Sequence, residues 1–181
     1  RPFRVLNNGD TPSCKDIILL PGVGTFGQGM DFLRLSCLES LLNKHVSLGG
    51  KIVGICLGMQ LFLQASSESP GVEGLGLIEG ACERIPVSSF FAVPHIGWNT
   101  LVFPESLHSC FSQFGKPLGR SMSDYYFVHS YYAKTNYSDS VVAAFAHPAG
   151  LLAATVALDN VIGFQFHPEK SGPAGYALLD Q

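Results

Sequence analysis

Short apolar runs alternate with amphipathic stretches through the first third of the chain. The apolar residues Ile17 to Leu20, closed by Pro21-Gly22-Val23-Gly24, predict a buried strand over 16–20 ending in a tight turn. Across residues 28–48, Phe32, Leu35, Leu38, Leu41, Leu42 and Val46 recur at helical spacing, and Gly49-Gly50 stops the pattern. A second strand is predicted over 51–55. Beyond Cys56 the rhythm turns helical again, with Met59, Leu61, Phe62 and Leu63 apolar and Gln60 and Gln64 four apart on one face. This order is a β-α-β-α unit, whose strands run parallel. Residues 75–103 are strand-like and turn-rich, and 107–123 read as a loop with at most one helical turn. Strands are predicted at 124–133, 140–146, 151–158 and 161–166, then a short helix at 174–179. No repeat or linker interrupts the 181 residues, which form a single domain over 1–181.

Two of these junctions carry chemistry. In Gly54-Ile55-Cys56-Leu57-Gly58 a thiol sits where a strand turns into a helix, and a nucleophile in so sharp a turn needs small residues on both sides. A helix N-terminus there would favour the thiolate. An ordinary cysteine is only about 3% ionised at neutral pH, and a pKa lowered by ~1.5 units would make roughly half of it reactive. Far along the chain, Phe164-Gln165-Phe166-His167-Pro168-Glu169 ends a strand with an imidazole. Pro168 holds His167 extended. Glu169 can then lie beside the ring, fix its tautomer and stabilise its cation. Cys56, His167 and Glu169 are therefore the candidate catalytic group. A buried free cysteine is commonly just a small apolar residue, and Cys14, Cys37, Cys82 and Cys110 are read that way.

Composition narrows the possibilities. A net charge of -3 supplies no basic field for nucleic acid. No apolar run reaches the 18 or so residues of a membrane span, and no signal peptide is visible, so neither membrane nor nucleic acid is an expected partner. Five cysteines without C-x-x-C spacing argue against a disulfide framework or a zinc site, so no metal or cofactor is expected and the compartment is cytoplasmic. Charged residues make up only 14%, which fits a large core or a surface covered by a partner.

Five motifs in order resemble the class I glutamine amidotransferases: Pro21 to Gly24, Gly54 to Gln60, Pro94-His95-Ile96-Gly97-Trp98-Asn99, Tyr126-Phe127-Val128-His129-Ser130-Tyr131, and Gln165 to Ser171. The third and fourth are similar to the histidine-biosynthesis branch. The resemblance implies a flavodoxin-like α/β fold, with a mixed, mostly parallel central sheet flanked by helices and a smaller antiparallel sheet. It also implies hydrolysis of L-glutamine to glutamate and ammonia through a thioester on Cys56, with backbone N–H groups of Val23 and Leu57 as the oxyanion hole. Glutamine recognition maps to Gly24, Gln60, Glu68, Ser130 and Tyr131. Trp98 and Asn99 map to the interface with a cyclase, the synthase subunit that receives ammonia in a heterodimer. Trp98 could instead fill the core, Glu68 could be a solvated loop acid, and Tyr131 one of several packed tyrosines. His95 and His129 lie outside the implied catalytic group. The family has two adjacent acids near Glu68, whereas Ser67 takes the first place here. It also has an opening strand and helix ahead of the position of Arg1, so a truncated start is expected. The same motifs serve glutaminase partners of sugar amidotransferases in surface-polysaccharide synthesis and stand-alone cysteine hydrolases. A catalytically dead binding subunit also remains open.

Overall fold

The computed structural model describes residues 3–87, 91–103 and 123–180. The loop expected at 107–123 therefore falls outside the described residues, apart from Ser123. β1 (Ile17–Gly22) and β2 (Lys51–Cys56) pair in parallel, with Gly22 opposite Cys56, so the two predicted turns end side by side. Between them the predicted long helix is two helices, α1 (Phe26–Leu35) and α2 (Leu38–Ser47), broken at Ser36-Cys37 where Cys37 is left-handed (φ 58°). Phe26, Met30 and Leu33 on α1 and Leu42 on α2 are buried, so each helix turns its own apolar stripe to the sheet. α1 also starts earlier than its apolar spacing suggests. Thr25 and Gln28 form a reciprocal capping box at its start.

After Cys56 comes α3 (Leu57–Gln60), a single turn rather than the predicted helix, because the chain folds back at once into β3 (Ala65–Ser66). β4 (Gly80–Arg84), β5 (His95–Thr100), β6 (Asp124–His129) and β7 (Tyr131–Thr135) follow. The strand expected at 124–133 is thus two strands that part at Ser130. β6 pairs antiparallel with β5, while β7 pairs antiparallel with β4. β8 (Val141–His147), β9 (Gly150–Leu158), β10 (Val161–Phe164) and α4 (Gly172–Leu179) complete the chain.

The central sheet has the order β1-β2-β10-β9-β8. Its β1–β2 and β2–β10 pairs are parallel and its β10–β9 and β9–β8 pairs antiparallel, so β1, β2, β10 and β8 run one way and β9 alone the other, the mixed and mostly parallel sheet expected. Among the described residues β1 is an edge, and Ile17 and Leu19, expected to be buried, are about half exposed. One apolar layer joins α1, α2 and α3 to one sheet face through Ile18, Ile52, Met59 and Val161. The other joins β6, Phe145, Ile162, Phe164 and Phe166 on the opposite face. Consecutive residues Val161 and Ile162 go to opposite layers, as strand alternation requires. The parallel strands β2 and β10 lie next to each other at the centre, and their C-terminal ends define the site.

Candidate active site

Cys56 ends β2 with φ 53° and ψ -111°, a conformation most side chains avoid. Such a backbone costs about 1–3 kcal/mol and persists only where packing enforces it. The flanking glycines make that packing possible. A Cβ on Gly58 would lie 1.8 Å from Leu20 O, and one on Gly54 would lie 2.6 Å from Met59 N. Both positions must be glycine if the turn is to press against β1 and β2.

β2 and β10 are in register to Ile55 opposite Phe164, which carries Cys56 alongside Gln165 and leaves His167 two residues further on. The outer edge of β6 ties both ends together. His167 N donates to Tyr126 O (2.9 Å), and the Cys56 thiol donates to Val128 O (4.0 Å). These two carbonyls lie two residues apart on one strand, a rise of about 7 Å. Tyr126 N donates to Ser171 Oγ (3.0 Å), which donates to His167 O (2.6 Å), pinning the segment from His167 to Ser171. On the ring, His167 Nδ1 pairs with Glu169 Oε1 at 2.6 Å, and the 3₁₀ turn Pro168–Lys170 brings that carboxylate back beside it. His167 Nε2 is buried without a hydrogen-bond partner among the described residues. Thiol and imidazole–carboxylate pair thus stand at the ends of adjacent strands, both tied to β6, with no hydrogen bond between Cys56 Sγ and His167 Nε2.

The electrostatics differ from the sequence expectation. Burial pushes the Cys56 thiol up to about 11, outweighing the Leu57 N–H, which lowers it; Glu169 raises it further and Lys170 lowers it. The single turn α3 is too short to supply a macrodipole, so the lowered pKa expected of a helix terminus is absent and the resting sulfur is a thiol.

The remaining positions fall as follows. Leu57 N–H faces the sulfur. Val23, 82% exposed, follows Gly22, whose missing Cβ would meet the Leu57 side chain at 3.1 Å, so the turn that carries Val23 starts against Leu57. Gly24 (φ 111°) opens the way into α1. Glu68 is not merely a solvated loop acid: its Oε2 accepts from Phe26 N (2.7 Å) and caps α1, while Ser69 Oγ accepts from Gly27 N (3.0 Å). Gln60 is buried, and its Nε2 donates to Tyr131 O and Gln165 Oε1, both at 3.0 Å. Both N–H bonds are spent inside the protein. Ser130 and Tyr131 lie where β6 and β7 part; Ser130 O accepts from Ile85 N, and Tyr131 packs partly against the core. Trp98 is 56% exposed on β5, edge-on to Tyr126, and does not fill the core. Asn99 Nδ2 and His95 Nε2 are 2.7 Å apart, and His95 stacks within a buried cluster of Phe127, His129 and Phe145. Gln165, Ser171 and the Val128 carbonyl were missed as site components by sequence reasoning. The available signal was a polar Gln165 in an apolar strand, two residues before His167 and hence on the same face. Among the described residues no cluster of side chains could hold a metal ion.

An elbow thiol and an imidazole–carboxylate pair at the ends of adjacent strands are the groups that cysteine-dependent acyl transfer on an α/β sheet would use. The family model "Glutamine amidotransferase class-I" matches residues 4–181, and the chain belongs to that family. It is similar to proteins named imidazole glycerol phosphate synthase subunit HisH. Identity is 42% to that of Oceanobacillus iheyensis (91% of this chain, 77% of the relative). It is 43% to that of Methanothermobacter thermautotrophicus (91% and 76%). It is 37% to that of Thermotoga maritima (92% and 74%). Two solved structures share the fold. A glutamine amidotransferase superposes with TM-score 0.66 at 18% identity, covering 90% of this chain and 76% of that one. The structure of PurLQS from Thermotoga maritima gives 0.66 at 20%, covering 95% and 80%.

Proposed function

We propose that the chain is the glutaminase subunit of an imidazole glycerol phosphate synthase in histidine biosynthesis. It hydrolyses L-glutamine and passes ammonia to a cyclase partner in a heterodimer. The observation that carries this reading is 42% identity across 91% of the chain to a relative bearing that name. The site chemistry supports it.

Cys56 attacks the side-chain amide carbon as its proton moves to His167 Nε2, the ring atom with no partner at rest. Glu169 stabilises the resulting imidazolium through the 2.6 Å contact to Nδ1. Backbone N–H groups of Leu57 and Val23 hold the tetrahedral oxyanion, each worth ~3–4 kcal/mol to the transition state. His167 returns the proton to the departing ammonia, leaving a thioester. It then takes a proton from water, which attacks the thioester and releases glutamate. Gly24, Gln60, Glu68, Ser130 and Tyr131 surround the substrate. Gln60 offers its carbonyl to an N–H donor, and Glu68 offers the oxygen that does not cap α1. The exposed Trp98 and its neighbour Asn99 face the cyclase, on the ribbon whose β6 edge touches both Cys56 and His167. The reaction takes place in the cytoplasm.

A resting thiol with a pKa of about 11 leaves only ~0.01% thiolate at neutral pH. The isolated subunit should therefore be a slow glutaminase that accelerates when the cyclase and its ligand are bound. The test is ammonia release from glutamine by the wild type and Cys56→Ala, each with and without the cyclase. Turnover by Cys56→Ala removes the mechanism, and equal wild-type rates with and without the cyclase remove the coupling.

A further inference from the structure

We propose that Gln165 is a positioning residue for the nucleophile: its carboxamide N–H, aimed by Gln60, is the side-chain donor that receives the Cys56 thiolate once the proton has left. The inference rests on Cys56 being the nucleophile and goes beyond that reading. Gln165 is fully buried, and its Nε2 lies 3.9 Å from Cys56 Sγ.

The orientation of this amide is forced. Tyr131 O is a carbonyl, so the Gln60 atom 3.0 Å from it must be the nitrogen. That same nitrogen lies 3.0 Å from the Gln165 side chain, so the Gln165 atom facing it must be the oxygen. The remaining Gln165 atom, the NH2 group, is therefore the one turned to the sulfur. His129 Nδ1 also donates to Tyr131 O (2.8 Å), anchoring the far end of the series.

Around the sulfur, two partners ask for opposite protonation states. The Val128 carbonyl accepts from the thiol and would repel a thiolate. Gln165 donates and so favours the thiolate, alongside the Leu57 N–H. Both side contacts are long in the thiol state. Transfer of the proton to His167 exchanges the first for the second, and the N–H to sulfur contact shortens as charge develops. Without the Gln165 donor, the buried anion would keep the Leu57 N–H, the charge of Lys170 and the newly formed His167 imidazolium, but no side-chain N–H, to oppose Glu169.

The test uses the whole chain, with Gln165→Met, which keeps the length and loses the donor. Iodoacetamide alkylation is followed on the Cys56 peptide by mass spectrometry across pH, because Cys14 and Cys37 are exposed and also react. Gln165→Met should slow Cys56 alkylation about tenfold at pH 8 and move its profile to higher pH. In ammonia release, kcat should fall with KM unchanged. His167, Glu169 and Lys170 are the same in both proteins and cancel in the comparison. An unchanged Cys56 profile in folded Gln165→Met overturns the proposal. If circular dichroism shows that variant unfolded, Gln60→Met decides: it frees the Gln165 amide, and a shift in the same direction supports the proposal while an unchanged profile overturns it. Glutamine turnover by Cys56→Ala would instead strike the nucleophile reading itself, so the two failures are distinguishable.

Discussion

His129 makes the fold sensitive to acid in a calculable way. The ring is buried, its Nδ1–H donates to Tyr131 O, and its Nε2 has no partner among the described residues. Burial, reinforced by His95 and His167 and only partly opposed by the Tyr131 bond, lowers its pKa to about 3 from the ordinary 6.5. Above pH 6.5 neither the folded nor the unfolded chain holds a proton there. Between 6.5 and 3 only the unfolded chain does, so stability falls as pH falls through that window. The slope is about 1.4 kcal/mol per pH unit, or about 3 kcal/mol lost by pH 4.5. That is a large share of the roughly 5–15 kcal/mol of a typical domain. His129→Leu removes the titration and leaves Tyr131 O bonded to Gln60. Urea unfolding of both proteins at pH 7 and 4.5 should show the wild type losing about 3 kcal/mol more than the variant. His95 and His147 are also held low by burial, and both remain in each arm of the comparison. A wild-type-minus-variant difference that stays constant across that range would refute the reasoning.

Other outcomes follow from single contacts. Gly58→Ala drives a Cβ to within 1.8 Å of Leu20 O, so it should destabilise by more than about 3 kcal/mol in thermal unfolding. Glu68→Ala removes the cap on Phe26 N and should lower stability by about 1 kcal/mol, while the KM for glutamine rises. Glu169→Gln keeps a hydrogen-bonding group beside His167 but loses the charge; with the carboxylate 48% exposed, kcat should fall by ~10²-fold rather than the ~10⁴ seen for buried triads. Steady-state ammonia release reads both of the last two.

The turn at Cys56, the imidazole just past the end of β10 and the parallel pairing of the first two strands were legible because each rests on local rules. Gly54 and Gly58 around Cys56 permit a turn that larger residues would block, and Pro168 with Glu169 places a carboxylate beside His167 by chain geometry alone. Helix breaks were less legible. The apolar spacing across residues 28–48 continues through Ser36 and Cys37, and only packing two stripes onto one sheet requires the left-handed Cys37. The unbroken run of strand formers at 124–133 likewise hides the parting at Ser130, where the chain leaves one sheet for another.

Sequence by itself determined which atoms are chemically able: a thiol at a glycine-flanked turn, an imidazole at a strand end, an acid two residues on. Those choices follow from short-range sterics and from the period of the strand. Tertiary structure alone decided the state of the sulfur. Its burial, the Val128 carbonyl from β6, the Gln165 amide from the end of β10 and the brevity of α3 come from segments far apart along the chain. Desolvation and hydrogen bonding depend on that assembled surrounding, which is why a site that reads as an activated thiolate rests instead as a thiol.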